Sequence, residues 1–179
     1  MKVTIGKNKS GGHTLKCMAV DELVRIIHDT DYAEVVTNLR LMYPLLVGEK
    51  KKTGQYKNIR PDAVSNVPSV CFTAEYHNNG GKQIMDKMNP AFIIEINNLV
   101  GYEEVEYLRD LARALPYTYI TFMGASGRSL KIICLARSSK PSDELTAEEM
   151  EKLLTQAYSD ASKYYSAQLG TSVDIKIPT

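Results

Sequence analysis

Between Ala91 and Ala136 the spacing of apolar residues changes from two, to about 3.6, and back to two. In the stretch Ala91 to Asn97, Phe92, Ile94 and Ile96 fall on alternate positions and define one face of a strand. Glu95 and Asn97 then project together from the other face, because residues two apart on a strand share a side. From Tyr102 to Leu115 the apolar positions are Tyr102, Val105, Leu108, Ala112 and Leu115, which line one stripe of a helix. Tyr117 to Met123 and Ser129 to Ala136 return to alternation and are joined by Gly124-Ala125-Ser126-Gly127-Arg128, a compact turn that predicts a hairpin. A strand, a covering helix and a hairpin predict an α+β domain, with a largely antiparallel sheet packed against helices.

The flanks extend this pattern. Thr146 and Glu149 form a capping-box signature that opens the longest helix, which runs to about Leu169 and ends at Gly170. Val173 to Ile177 alternates like a further strand. Towards the N-terminus, residues 2 to 7 predict a short strand followed by a Lys/Gly/Ser-rich loop. Helical spacing recurs from Val20 to His28 and from Tyr32 to Leu46, where Val35, Val36, Leu39 and Met42 share a stripe. Ser69 to Tyr76 alternates strictly as one strand, and a Gly-rich turn at Asn78 to Gly81 leads into a short helix around Gln83 to Met88. No internal repeat or linker interrupts the chain. Residues 1–179 therefore predict a single domain, and its end at a strand marks it as a fragment or N-terminal module of a longer protein.

Composition narrows the partners. The net charge is +1, so nucleic-acid binding needs a local patch and not a bulk field. One such patch is the segment Gly48 to Arg60, read as an exposed loop, where Lys50, Lys51, Lys52, Lys57 and Arg60 surround Tyr56. Eleven tyrosines against no tryptophan serve equally as core filler or as base-stacking surface, although Tyr158, Tyr164 and Tyr165 lie on the apolar stripe of the last helix. Cys17, Cys71 and Cys134 fit neither a disulfide framework nor a zinc knuckle, which favours a reducing, cytoplasmic setting. The N-terminus has no signal-peptide apolar stretch, and no apolar run approaches membrane-spanning length. His13, His28 and His77 lack metal-ligand spacing. Neither a P-loop nor a nucleophile elbow is present.

The chemistry concentrates on the strand carrying Glu95 and Asn97 and on the hairpin that follows. Side-chain oxygens at the polar end of an apolar strand suit magnesium, which takes one or two carboxylates together with substrate phosphates. The small residues of the turn offer backbone N–H groups as an anion nest. Lys131 supplies a point charge to a phosphate, and Arg128 lies in the turn itself. The plainer readings are that Glu95 is a solvated strand-end residue, that Asn97-Asn98 is a turn device, and that the hairpin turn is only a turn.

The motifs, taken in order, resemble the VirE N-terminal-like branch of the archaeo-eukaryotic primase (primase–polymerase) superfamily, found in replication proteins of bacterial mobile elements. That family carries an apolar strand ending in acid-x-acid, matched here by Glu95-Ile96-Asn97. After a helix comes a hairpin with Ser-Gly-x-Gly-x-His, or Lys in this branch, matched by Ser126-Gly127-Arg128-Ser129-Leu130-Lys131. Val67-Pro68-Ser69-Val70-Cys71-Phe72-Thr73-Ala74 resembles the branch's upstream segment, and Val173-Asp174 its late apolar-Asp pair. The resemblance covers roughly residues 50 to 175.

The resemblance implies a primase–polymerase-like fold with an RRM-like half, binding a nucleoside triphosphate and single-stranded nucleic acid, with a helicase-like module elsewhere in the full-length protein. It implies Glu95 and Asp174 as ligands of Mg or Mn, Asn97 beside them in the catalytic group, and Ser126, Gly127, Arg128, Ser129 and Lys131 as phosphate contacts. In such enzymes two metals activate the attacking hydroxyl and stabilise the leaving pyrophosphate. Here the second acid of the pair is Asn97, which removes one negative charge from the metal cage, and Ser129 stands where Gly is usual. The expectation is thus a nucleotide- and nucleic-acid-binding domain with a degenerate nucleotidyl-transfer site. Its rivals are a non-catalytic nucleic-acid or protein interaction module and an unrelated α+β scaffold, in which Glu95 would lie far from Lys131.

Overall fold

In the computed structural model the described residues are 1–9, 12–28, 32–42 and 67–174. The basic segment Gly48 to Arg60, residues 43–46 of the expected second helix and residues 175–177 of the expected last strand lie outside them. The fold is α+β, with antiparallel ladders throughout the described sheets. The chain divides into two compact units. One comprises Met1–Cys71 with Glu75–Asp86, the other Phe72–Ala74 with Lys87–Thr179.

In the first unit, strand β1 (Lys2–Lys9) pairs with β2 (Gly12–Ala19) on one side and with β3 (Ser69–Cys71) on the other. Strand thus continues past residue 7, where a loop was expected, with residues 10 and 11 outside the described residues; Lys7, Thr14 and Lys16 are exposed while Val3, Ile5 and Met18 are buried. Thr4 stands between Cys17 and Cys71 in the register, so the two cysteines are a full strand apart, beyond the reach of a disulfide. Helix α1 (Val20–His28) follows directly and buries Val20 and Leu23. Residues 33–42 form α2, in which Leu39 is buried and Met42 exposed.

The expected strand from Ser69 to Tyr76 is broken. Its second half belongs to a separate ribbon, β4 (Ala74–Asn79) paired with β5 (Lys82–Met88). Asn89 fixes the break, its side-chain amide donating to Phe72 O at 3.0 Å and its backbone N–H to Thr73 O at 2.7 Å. The short helix expected around Gln83 is strand β5. Gly80 and Gly81 both take positive φ, 57° and 82°, the geometry of a two-residue hairpin turn that returns the chain antiparallel.

The second unit holds the larger core. Strand β6 (Ala91–Ile96) leads to helix α3 (Tyr102–Arg113), then to β7 (Thr118–Met123), β8 (Leu130–Leu135) and the long helix α4 (Ala147–Leu169). The sheet order is β6-β8-β7. A β-α-β-β-α succession with the third strand central is the beginning of the ferredoxin-like motif. Phe92, Ile94, Ile96, Leu130, Ile132 and Cys134 are buried in one cluster with Val105, Leu108 and Ala112 of α3 and Met150, Leu154, Tyr158 and Tyr165 of α4. Both helices thus cover one face of the sheet, as the period of two in β6 and of 3.6 in α3 requires. Tyr102, expected on that stripe, is instead exposed at the first turn of α3.

Helix α4 is bounded as its sequence dictates. Thr146 and Glu149 form a reciprocal capping box, and Gly170 closes the helix at φ 63°. At the other end of the core, Thr118 Oγ1 donates to Ala112 O at 2.6 Å and is bonded to Tyr165 OH at 2.7 Å, while Cys134 Sγ donates to Tyr165 OH at 3.6 Å. This run of donors ties α3, β7, β8 and α4 together. Val173 and Asp174 are not assigned as strand, yet the Asp174 N–H donates to Glu95 O at 2.9 Å, which fastens the segment after α4 alongside β6. Among the described residues no helix is long and apolar enough to cross a membrane.

Candidate functional site

The face of the sheet turned away from α3 and α4 receives the residues that cannot enter the core. Glu95 is the polar position of β6, between buried Ile94 and Ile96. Directly opposite it in the ladder is Lys131 of β8. Their side chains form an ion pair, Lys131 Nζ to Glu95 Oε1 at 2.7 Å, and retain only 19% and 21% of their exposure. Such a pair is shielded enough to be held in place, unlike a freely solvated surface pair.

Asn97 follows on the same side of the chain. Its Nδ2 donates to Glu95 Oε2 at 3.4 Å and, more closely, to Asp174 Oδ2. With carboxylates on both sides, the amide must present its NH2 and not its oxygen. Asn98 then takes φ 62°, a left-handed turn conformation that Asn tolerates better than most residues. Asp174 is positioned by two main-chain bonds, its N–H to Glu95 O and its carbonyl accepting from Tyr158 OH at 2.7 Å. Glu95, Asn97, Asp174 and Lys131 therefore converge from β6, the strand exit, the segment after α4, and β8.

The hairpin turn is bound to the same end of β6. Leu99 N–H donates to Arg128 O at 3.1 Å, and the Arg128 guanidinium donates to Val100 O. Inside the turn, Gly127 N–H donates to Gly124 O at 2.9 Å and Arg128 N–H to Ser126 Oγ at 3.3 Å. Two donors of the expected anion nest are thus already committed, and Arg128 braces the loop before α3. Ser129 is buried, and its Oγ lies 2.1 Å from where a Cβ on Gly124 would sit, so residue 124 has no room for a side chain. The stem of Lys131 passes the same glycine, with Cε 3.4 Å from that position.

The oxygens of Glu95 and Asp174 are of the kind that Mg or Mn takes. The arrangement does not fit such an ion as it stands. One oxygen of Glu95 is held by an ammonium, and the group between the two carboxylates is a donor NH2. Among the described residues no group of three or more His, Cys, Asp or Glu is placed to hold a metal.

The sequence paired Glu95 with Asn97 and suggested Asp174 as a partner, and the structure brings all three together. Lys131, expected as a phosphate contact, is paired with Glu95. Ser126, Gly127 and Arg128 form a second group at the turn. Tyr158 and Gly124 were missed as positioning residues. Tyr158 reads as core from its helical spacing, and Gly124 reads as an ordinary turn glycine. His77, expected to be structural, pairs with Asp86 across the β4–β5 ribbon at 2.6 Å.

A family model described as BT4734-like, N-terminal domain, matches residues 62–179. No curated protein and no solved structure matches the chain.

Proposed function

The chain belongs to the BT4734-like N-terminal domain family, and for this member we propose a primase–polymerase-like domain of a mobile-element replication protein that binds nucleotide and nucleic acid through a degenerate nucleotidyl-transfer site. The observation that carries this reading is the convergence of Glu95, Asn97 and Asp174 with Lys131 on one face of the second unit's sheet. The motif order that resembles the VirE N-terminal-like branch predicts this juxtaposition, whereas a coincidental likeness would leave Glu95 and Lys131 apart. The β-α-β-β-α succession supports it too, since sheets of this motif serve as nucleic-acid platforms in RRM domains.

Transfer chemistry needs carboxylates that are free to hold divalent ions near the attacking hydroxyl and the leaving pyrophosphate. Glu95 is engaged by Lys131, and Asn97 contributes no charge. What these residues retain is polar recognition. Lys131 and the turn residues Ser126, Gly127, Arg128 and Ser129 are the proposed phosphate contacts, with the basic segment from Lys50 to Arg60 as a further contact to single-stranded nucleic acid. A helicase-like module in the full-length protein and a reducing, cytoplasmic setting belong to the same proposal, the latter supported by Cys17, Cys71 and Cys134 all being free thiols.

The specific chemistry of Asn97 favours a second reading, a non-catalytic module that keeps the fold for nucleic-acid or protein contacts. Titration with a nucleoside triphosphate, with and without Mg or Mn, separates the two for wild type and Glu95→Ala. Metal-dependent binding that disappears in Glu95→Ala supports a residual transfer site. Single-stranded DNA binding that weakens steeply with salt and ignores Glu95→Ala supports the interaction module. Binding of neither ligand overturns the nucleotide-binding reading and leaves the fold to protein contacts.

A further inference from the structure

We infer that Lys131 is a built-in cation, which occupies the place of a divalent ion in the Glu95–Asn97–Asp174 cluster and makes its folded geometry independent of metal. This rests on the geometry of the cluster and goes beyond the nucleotide-binding reading.

Four observations converge on it. Lys131 Nζ stands 2.7 Å from Glu95 Oε1, within the range of a charge-assisted hydrogen bond. The pair is four-fifths withdrawn from solvent, so the ammonium is not a chain end sampling water. Its register opposite Glu95 in the β6–β8 ladder leaves the stem little freedom, and the stem lies against Gly124, where no side chain intervenes. Finally, Asn97 bonds to both Glu95 and Asp174 through its NH2, so the two carboxylates are already bridged by a neutral donor. Two carboxylates bridged by one amide, with one of them paired to an ammonium, leave a single net negative charge. That is too little to draw a strongly hydrated ion such as Mg out of water.

The role is one of positioning. Lys131 holds Glu95, and Glu95 with Asn97 holds Asp174, which keeps the segment after α4 on β6. Removing the ammonium while keeping the volume should expose a latent cation site made of the same oxygens.

The experiment is a thermal melt of the whole chain in EDTA and in rising Mn²⁺ or Mg²⁺, for wild type, Lys131→Met, Lys131→Arg and Lys131→Met/Glu95→Gln. Wild type and Lys131→Arg should show no metal-dependent change in Tm. Lys131→Met should melt lower in EDTA and recover roughly 3–5 °C when metal reaches about ten times its Kd. The double variant should lose that recovery, which excludes adventitious binding elsewhere. If Lys131→Met does not fold in EDTA, folding restored by Mn²⁺ but not by equal ionic strength of NaCl gives the same support. A wild-type Tm that rises with metal as much as that of Lys131→Met overturns the inference. So does a Lys131→Met variant that is indifferent to metal, or a double variant that still responds.

Discussion

Glu95 and Lys131 face each other across the β6–β8 ladder and close an ion pair at 2.7 Å. Neither is near the other in sequence, and each is the one charged residue of its strand. The pair sets the electrostatics of everything beside it, including the response to a third carboxylate.

Asn97→Asp adds that carboxylate. It removes the donor that bridges Glu95 and Asp174 and sets a third negative group between them. We expect a loss of about 1–3 kcal/mol at neutral pH, typical of a lost shielded hydrogen bond combined with like-charge repulsion. Millimolar Mg or Mn should offset much of it. Chemical denaturation with and without metal checks both, and an unchanged midpoint in EDTA would contradict the arrangement described.

Cys134 should be silent towards thiol reagents in the native protein. Burial pushes its thiol up to about 11, only partly opposed by its hydrogen bond to Tyr165. Because the folded value lies above the ordinary 9.0, the associated stability is complete below about pH 9 and is lost as pH rises towards 11. The loss should be on the order of 2 kcal/mol. Thiol titration should count fewer reactive groups in buffer than in denaturant, and Cys134→Ala should flatten the alkaline limb of the stability curve.

The start of α4 should weaken in acid. Lys140 is the main cause that holds the Glu149 carboxyl down at about 2, with the backbone and side chain of Thr146 adding to it. A depressed value contributes stability above the unfolded range near 4.5, which is lost as pH falls towards 2. Glu149→Gln should remove that acid dependence. Thr146→Ala should cost about 1 kcal/mol at neutral pH by leaving the N3 amide without its acceptor. Far-UV circular dichroism melts from pH 2 to 7 read both.

Gly124→Ala should destabilise the hairpin by about 1–3 kcal/mol, because the new methyl meets Ser129 Oγ. Ser129→Gly should return most of that loss when combined with it. A double-mutant cycle measures the coupling. Strict additivity would mean that the two residues do not share the space.

The order of elements in the second unit was legible because each signal there is strong and local. The alternation of Phe92, Ile94 and Ile96, the stripe of Val105, Leu108 and Ala112, and the Thr146–Glu149 box all depend on neighbours a few residues away. The ribbon of β4 and β5 was half legible. Its glycine turn was recognised, but Gln83 to Met88 is largely exposed and carries no apolar period to distinguish strand from helix. The break after Cys71 depends on Asn89, which lies 17 residues from Phe72 in sequence, so no local pattern announces it. At the candidate site, strand geometry alone puts Glu95 beside Asn97. The Glu95–Lys131 pairing needs the register between two strands separated by a helix and a third strand, and side-chain identity does not fix that register.

The place of β3 has a practical consequence. The family match begins at residue 62, upstream of β3, while the described partner of β3 is β1, at the N-terminus. A fragment cut at the family boundary would carry Ser69–Cys71 without the strand that satisfies its backbone. The bared edge would invite pairing between copies. Deletion work on this chain should therefore retain the first 19 residues, through the end of β2, or expect aggregation that has nothing to do with the site.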